Sequence, residues 1–448
     1  MGRDRARRSR LMPALSESYQ GAFDPGFQLA DLSRPALAQL GREYLLMGHL
    51  IDRVGLPLAI ERFGDDGMTQ LSIDEWMGAS PIYSARMQRA LGFGGDDVGT
   101  VFKNLQLDIG APHQFMDFQF RLDGPDYGEF WLSHCGALMD VEPWGEDRVR
   151  RMCHDIEDPT FDATAAATNP RMKMRPIHRP PREPAGRYPH CHWSVFIDDE
   201  AAPYEQHANL SLVEDSSAGS LPVVAAGAGG SVGEESGGWS GYSGPFDPGF
   251  QLEDLSHEAL VVTVQELAVQ AHLLVRSYLV AIAQRFGEAA AVELGRRQWI
   301  GSAALGAVRL GRALGLEGGG IEAVAKILQL HPHFQPRSYV DLRVDVTGSD
   351  SARLTIGPCP ARSEPDGLSW FAGLSTDPHP ALDAIAGAID PQARCVPVEV
   401  SDDVVAWDVV IDPAAAAQPE PPELALARMS AGVDFELIQR RPLRVTAE

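Results

Sequence analysis

The sequence predicts an α+β fold built twice: two tandem copies of a helical segment followed by a small antiparallel sheet with packed helices. Three observations predict it. The run Phe23-Asp24-Pro25-Gly26-Phe27-Gln28-Leu29 returns as Phe246-Asp247-Pro248-Gly249-Phe250-Gln251-Leu252, 223 residues on (246 − 23). In the first part of each copy, apolar residues recur at three- and four-residue steps, the helical period. In the second part that period gives way to short aromatic-rich runs bounded by turn residues.

The repeat keeps its register. His49 falls on His272, Arg53 on Arg276, and Arg62-Phe63-Gly64 on Arg285-Phe286-Gly287. Trp76 falls on Trp299, Lys103 on Lys326, and Leu105-Gln106-Leu107 on Leu328-Gln329-Leu330. One inserted residue then sets Asp117 on Asp341, Gly124 on Gly348 and Cys135 on Cys359. Side chains kept in both copies are read as architecture. Those kept in one are candidates for chemistry. His49 and Arg53, one helical turn apart and repeated, read as a buried polar pair or a contact between copies.

The elements follow in order. Leu37, Leu40, Tyr44, Met47 and Ile51 define a helix over 34–54, with Ser33 as N-cap. Gly55-Leu56-Pro57 is expected to interrupt it. A second helix is expected to begin at Leu58–Phe63; another covers 73–91 and ends at Gly92; a short one covers 98–107. Phe115–Leu122 and Glu129–Ser133 read as a hairpin around Asp123-Gly124-Pro125-Asp126, repeated at 339–346 and 353–356. A helix at 146–157 and strands at 169–177 and 192–197 complete the copy.

Composition divides the chain. Residues 1–18 read as a disordered tail, 19–199 as copy one, 200–241 as a Gly/Ser/Ala-rich linker, 242–413 as copy two, and 414–448 as a second spacer and tail. With 448 residues, each copy can bury its own core. A net charge of −24 and a pI near 4.9 argue against nucleic acid or an anionic membrane as partner. No apolar run approaches the roughly 20 residues that cross a bilayer, and Met1–Arg10 is basic without the apolar core of a secretory signal. Five cysteines, an odd number, fit a reducing cytoplasm.

Copy one gathers reactive side chains after its hairpin: His134-Cys135, Cys153-His154-Asp155, Glu157-Asp158, His178, and His190-Cys191-His192. Copy two keeps the frame but not this set. Cys135 survives as Cys359, Asp158-Pro159 as Asp377-Pro378, and Trp193 as Trp407. Cys153 becomes Ala372, His154 Gly373, Asp155 Leu374, Glu157 Thr376, His178 Glu399, Cys191 Val405 and His192 Ala406. Thiols and imidazoles with nearby acids suit a tetrahedral zinc-type site, with iron a further possibility.

Cys135, Met152-Cys153-His154-Asp155, Asn169-Pro170, the basic run Arg175–Arg179 and Cys191-His192-Trp193 together resemble the L-2-amino-thiazoline-4-carboxylic acid hydrolase-like family. That family is similar in pattern to the vinyl-reductase domain and to the aromatic-sensing domains of some bacterial activators. The resemblance covers 115–198. It implies an α+β domain with a ligand pocket and, in the sensor branch, a cysteine-rich zinc site to which Cys153 and Cys191 correspond. His178 lies near the position of a further ligand. The chain departs from that pattern by lacking a second cysteine just before Cys191.

Two mechanisms follow for a hydrolase acting on a C–N bond of a small carboxylated molecule. In one, Cys153, Cys191 and His178, with His154 or Cys135, hold a metal whose bound water is activated, and Glu157 or Asp158 is the base. In the other, Cys153 is the nucleophile, His154 or His178 takes its proton, and Asp155 orients the imidazole. Arg175 and Arg179 are the candidates to grip the substrate carboxylate. A zinc-stabilised small-molecule sensor without turnover and a scaffolding pseudo-dimer, packed through its two copies, are the alternatives.

Overall fold

The computed structural model describes residues 19, 21–227, 237–316, 318–375, 377–400 and 403–437. The expected disordered tail at 1–18 lies outside them. Ser33 accepts from Ala36 N and starts α1 (Arg34–Leu91), which Gly92 ends in the left-handed conformation at φ 67°. The helix does not break at Gly55-Leu56-Pro57. It breaks at Gly64, which sits at φ 73°, a value that favours glycine. Pro57 forfeits one backbone hydrogen bond, and the buried helix around it carries straight on.

The rest of the first half is α2 (Val98–Leu105), β1 (Met116–Leu122), β2 (Tyr127–Cys135), α3 (Gly136–Val141), α4 (Glu146–Arg150), a π-helical turn (Arg151–Ile156), α5 (Glu157–Ala166), β3 (Met172–His178) and β4 (Cys191–Ile197). The second half has α7 (His257–Phe286) and α8 (Glu288–Leu314), separated at Gly287 with φ 92°. Then come α9 (Ile321–Leu330), β5 (Leu342–Gly348), β6 (Ser351–Ile356), α10 (Pro380–Ile389), β7 (Ala393–Val398) and β8 (Val405–Ile411). The chain is α+β, with two four-stranded antiparallel sheets ordered β1-β2-β4-β3 and β5-β6-β8-β7. Registers match: Trp193 pairs with Phe130 and Pro176, and Trp407 with Leu354 and Pro397.

The expected linker and tail are not wholly unstructured. α6 (Asn209–Glu214) packs on α1 and α7, and α11 (Pro422–Ala427) packs on α8 and α1. Residues 228–236 and 438–448 lie outside the described set. The expectation that no apolar run could span a membrane also needs correction. α7 is long and apolar enough by length and composition, but it is spent on the core, mostly buried against the long helices α1 and α8.

Contacts between the halves come in matched pairs. Arg86 makes a two-pronged ion pair with Glu266 at 2.9 and 2.9 Å, and Arg309 makes one with Glu43 at 2.7 and 3.1 Å. Each arginine also clasps a following segment, Arg86 through the Leu221 carbonyl and Arg309 through those of Gly432 and Val433. Tyr19 donates to Gln329 at 2.9 Å, and Tyr242 donates to Gln106 at 2.8 Å. Lys326 reaches the Gly21 carbonyl as Lys103 reaches that of Gly244. The repeated Lys and Gln of the sequence thus receive the Phe-Asp-Pro-Gly strap of the other half.

Candidate functional site

The first half holds a cavity of about 130 Å³ between α1, the start of its sheet and the π-helical turn. Trp76, Tyr83, Phe118 and Phe161 supply aromatic wall, and Asp52, Asp108 and Glu157 supply carboxyls. A second, outer pocket of about 240 Å³ adjoins it. Arg53, Leu56, Met152 and Ile156 line both, so these four form the partition. Two of them, Met152 and Ile156, lie four residues apart on the π-helical turn and so share a face, while Cys153 is buried behind.

Arg53 is held in place from two sides. Its Nε lies 2.7 Å from Asp140, and its Nη2 donates to His49 Nε2 at 2.8 Å. Burial, and then the Arg53 charge, keep His49 well below the usual imidazole range. The buried polar pair expected from the sequence is therefore present, and it faces the cavity. Asp140 in turn accepts from Ser430 Oγ at 2.8 Å and Ala431 N at 2.6 Å. Leu426, Met429 and Ser430, from the end of the second half, line the outer pocket of the first.

The acids share one cause. Burial pushes Asp52 and Asp108 up to about 6 and Glu157 to about 8. Burial, and then the facing Asp52 carboxylate, raise Glu75 well above its ordinary range. Trp76 Nε1 donates to Asp52 Oδ2 at 3.1 Å; Tyr83 Oη and Gly110 N donate to Asp108 Oδ1 at 2.9 and 2.7 Å. Arg179 is the positive charge that partly offsets the rise at Glu157.

Three thiols gather behind Glu157. Burial first, and then Glu157, push Cys135 up to about 12 and hold Cys153 and Cys191 well above the ordinary thiol range; Cys135 and Cys191 both add to the rise at Cys153. Cys135 also caps α3, accepting from Leu138 N at 3.3 Å. These thiols are the reverse of activated: a catalytic cysteine needs a depressed pKa.

The expected metal set is not assembled. Successive strand residues face opposite ways, so Cys191 is buried with Trp193 and Val195 while His192 lies on the other face, 2.7 Å from Glu129. The His178 ring lies 6.0 Å from that of His192, on that outer face. His154 Nε2 is taken by the Pro180 carbonyl at 2.7 Å, and Asp155 is exposed, hydrogen-bonded to no described imidazole. Among the described residues, no three His, Cys, Asp or Glu side chains converge to hold a metal ion. Arg175 is paired with Asp162 at 2.8 and 3.0 Å, and Arg179 with Asp158; neither lines the two pockets.

Sequence reasoning missed Asp52, Glu75 and Asp108. The repeat carried the signal: they fall on Val275, Gln298 and His331, and Glu157 falls on Thr376. All four acids are confined to the first half. In the second half the corresponding space, bounded by His272, Arg276 and Tyr339, shrinks to about 10 Å³. Trp370 and Phe371 replace Arg151 and Met152 there; Trp370 stacks on Trp299 at 5.8 Å, and Phe371 meets the same indole at a tilt, at 4.9 Å. Compared with known proteins, the chain matches no family model, no curated protein and no solved structure.

Proposed function

We propose that the first half binds a small molecule in its inner cavity, that the outer pocket is the entrance, and that the second half is a structural partner in an internal pseudo-dimer. The observation that carries this reading is the contrast between halves. One repeat position holds a cavity of about 130 Å³ edged by carboxyls, and the other is packed with indole and phenyl rings down to about 10 Å³. An apolar cavity with a few convergent polar groups and displaced pKa values is the ordinary form of a ligand site. The resemblance read from the cysteine and basic motifs points the same way, to a ligand-pocket domain. Five free, buried thiols support a reducing, cytoplasmic setting.

A second reading, hydrolysis of a C–N bond, is favoured by Glu157 alone. A carboxyl on a cavity wall that exchanges its proton near pH 8 is placed to act as general acid or base. On this reading Glu157 is the catalytic residue, and Cys153 is a core thiol.

A thermal-shift screen of small molecules on the full chain, run beside Thr160→Phe, tests the main reading. Thr160 lines the cavity, and a phenyl ring there fills it. Hits should stabilise the wild type and lose their effect in the variant. Hits that shift both proteins equally, or no hits at all, would leave a scaffolding pair as the better account.

A further inference from the structure

We propose that the molecule held in the inner cavity is a small organic cation, an aromatic or alkyl body carrying a protonated amine, with its nitrogen bound by Asp52 and Asp108. This deepens the ligand-binding reading and rests on it.

The first observation is an unmet acceptor. Asp52 is 4% exposed and lines the cavity, with Oδ2 engaged by Trp76. Its Oδ1 is buried and receives no N–H or hydroxyl, and Asp52 shares a hydrogen bond with the buried Glu75 carboxyl. Asp108, 5% exposed, receives both of its donors on Oδ1, and no described residue donates to Oδ2. Asp52, Tyr83 and Asp108 line the same cavity, and Tyr83 Oη donates to Asp108.

The charge balance of the wall is the second observation. Arg53 is the one Lys or Arg among the cavity-lining residues, and Asp140 neutralises it at 2.7 Å. His49 is held neutral by burial and by Arg53. Against these stand the carboxylates of Asp52 and Asp108, while burial leaves Glu157 protonated near neutral pH, so an anion entering would meet unpaired acceptors and a cation would meet its complement. The indole of Trp76 and the rings of Tyr83 and Phe161 add faces suited to an ammonium group or to the apolar body behind it. The half without the cavity also lacks these acids: Val275 and His331 stand where Asp52 and Asp108 do.

Calorimetric titration of the full chain near neutral pH, with benzylammonium and phenethylammonium as probes, decides the matter. 2-Phenylethanol and 3-phenylpropanoate serve as the uncharged and anionic comparisons. At least one amine should bind at a single site, with the alcohol about ten-fold weaker or worse and the acid undetected. Asp52→Asn and Asp108→Asn should each weaken the amine by about ten-fold while the melting temperature stays at or above that of the wild type. Alcohol or acid binding as tightly as the amines, and lost in Thr160→Phe, would overturn the cation while keeping the cavity as the site. No probe of any charge binding would overturn both.

Discussion

Phe63 and Phe286 occupy the same position in the two repeats, and their rings stack on one another, 3.6 Å apart and within 5° of parallel. Tyr278 likewise donates at 2.9 Å to the carbonyl of Gly55, its counterpart. Equivalent residues meet in this way only where two similar surfaces face each other across a common axis, as in an isologous dimer. The helical faces that a single copy would expose are therefore buried against the other half.

The matched ion pairs should be stability devices. Arg309→Met leaves the Glu43 carboxylate buried and uncompensated, and should cost about 3–5 kcal/mol in urea unfolding. Arg309→Met combined with Glu43→Leu should recover much of that. Equal losses in the single and double variants would show that the arginine acts through its backbone contacts to 432–435 instead.

Neither half should stand alone. A chain of residues 19–199 lacks the α7 face, the Tyr242 strap and the 426–433 segment that closes its outer pocket. It should be aggregated or molten by near-ultraviolet circular dichroism. A cooperative, monomeric thermal transition from that fragment would contradict the shared-core description.

Much of the fold was legible because local chemistry dictates it. Ser33 caps a helix wherever its hydroxyl can reach the first-turn N–H groups, and the hairpin residues at 123–126 turn without help. The helix break was misplaced because Gly55-Leu56-Pro57 is a breaker only in isolation. Packing against α7 carries α1 through it, and the break falls at Gly64, where a positive φ is required. The sequence grouping of Cys135, Cys153 and Cys191 has its counterpart in three buried thiols that act on one another, while strand alternation puts His178 and His192 on the opposite face from Cys191. The role of 426–435 in the site of the opposite half leaves no local mark at all.

Stability should carry the signature of Glu157. Its pKa rises from 4.5 to about 8 on folding, so the folded chain holds a proton that the unfolded chain releases. Stability from this group is fully present below 4.5 and is lost as pH climbs to about 8. Glu157→Gln should therefore gain on the wild type across that window and hold a constant advantage above it. A difference in melting temperature that does not vary between pH 5 and 8 would refute the assignment.

The thiols should be inert. Cys135, Cys153 and Cys191 have raised pKa values and are buried, so alkylation by iodoacetamide near pH 8 should be slow in the folded chain and fast in denaturant. Rapid modification of Cys153 alone would restore the nucleophile reading.

The most direct measurement is a crystallographic fragment screen of the full chain, enriched in small amines. The account predicts fragment density in the first-half cavity, against Asp52, Trp76 and Glu157, and none between His272 and Trp370 in the second half. A first-half cavity that stays empty across the screen, or fragments seated in the second half instead, would contradict it.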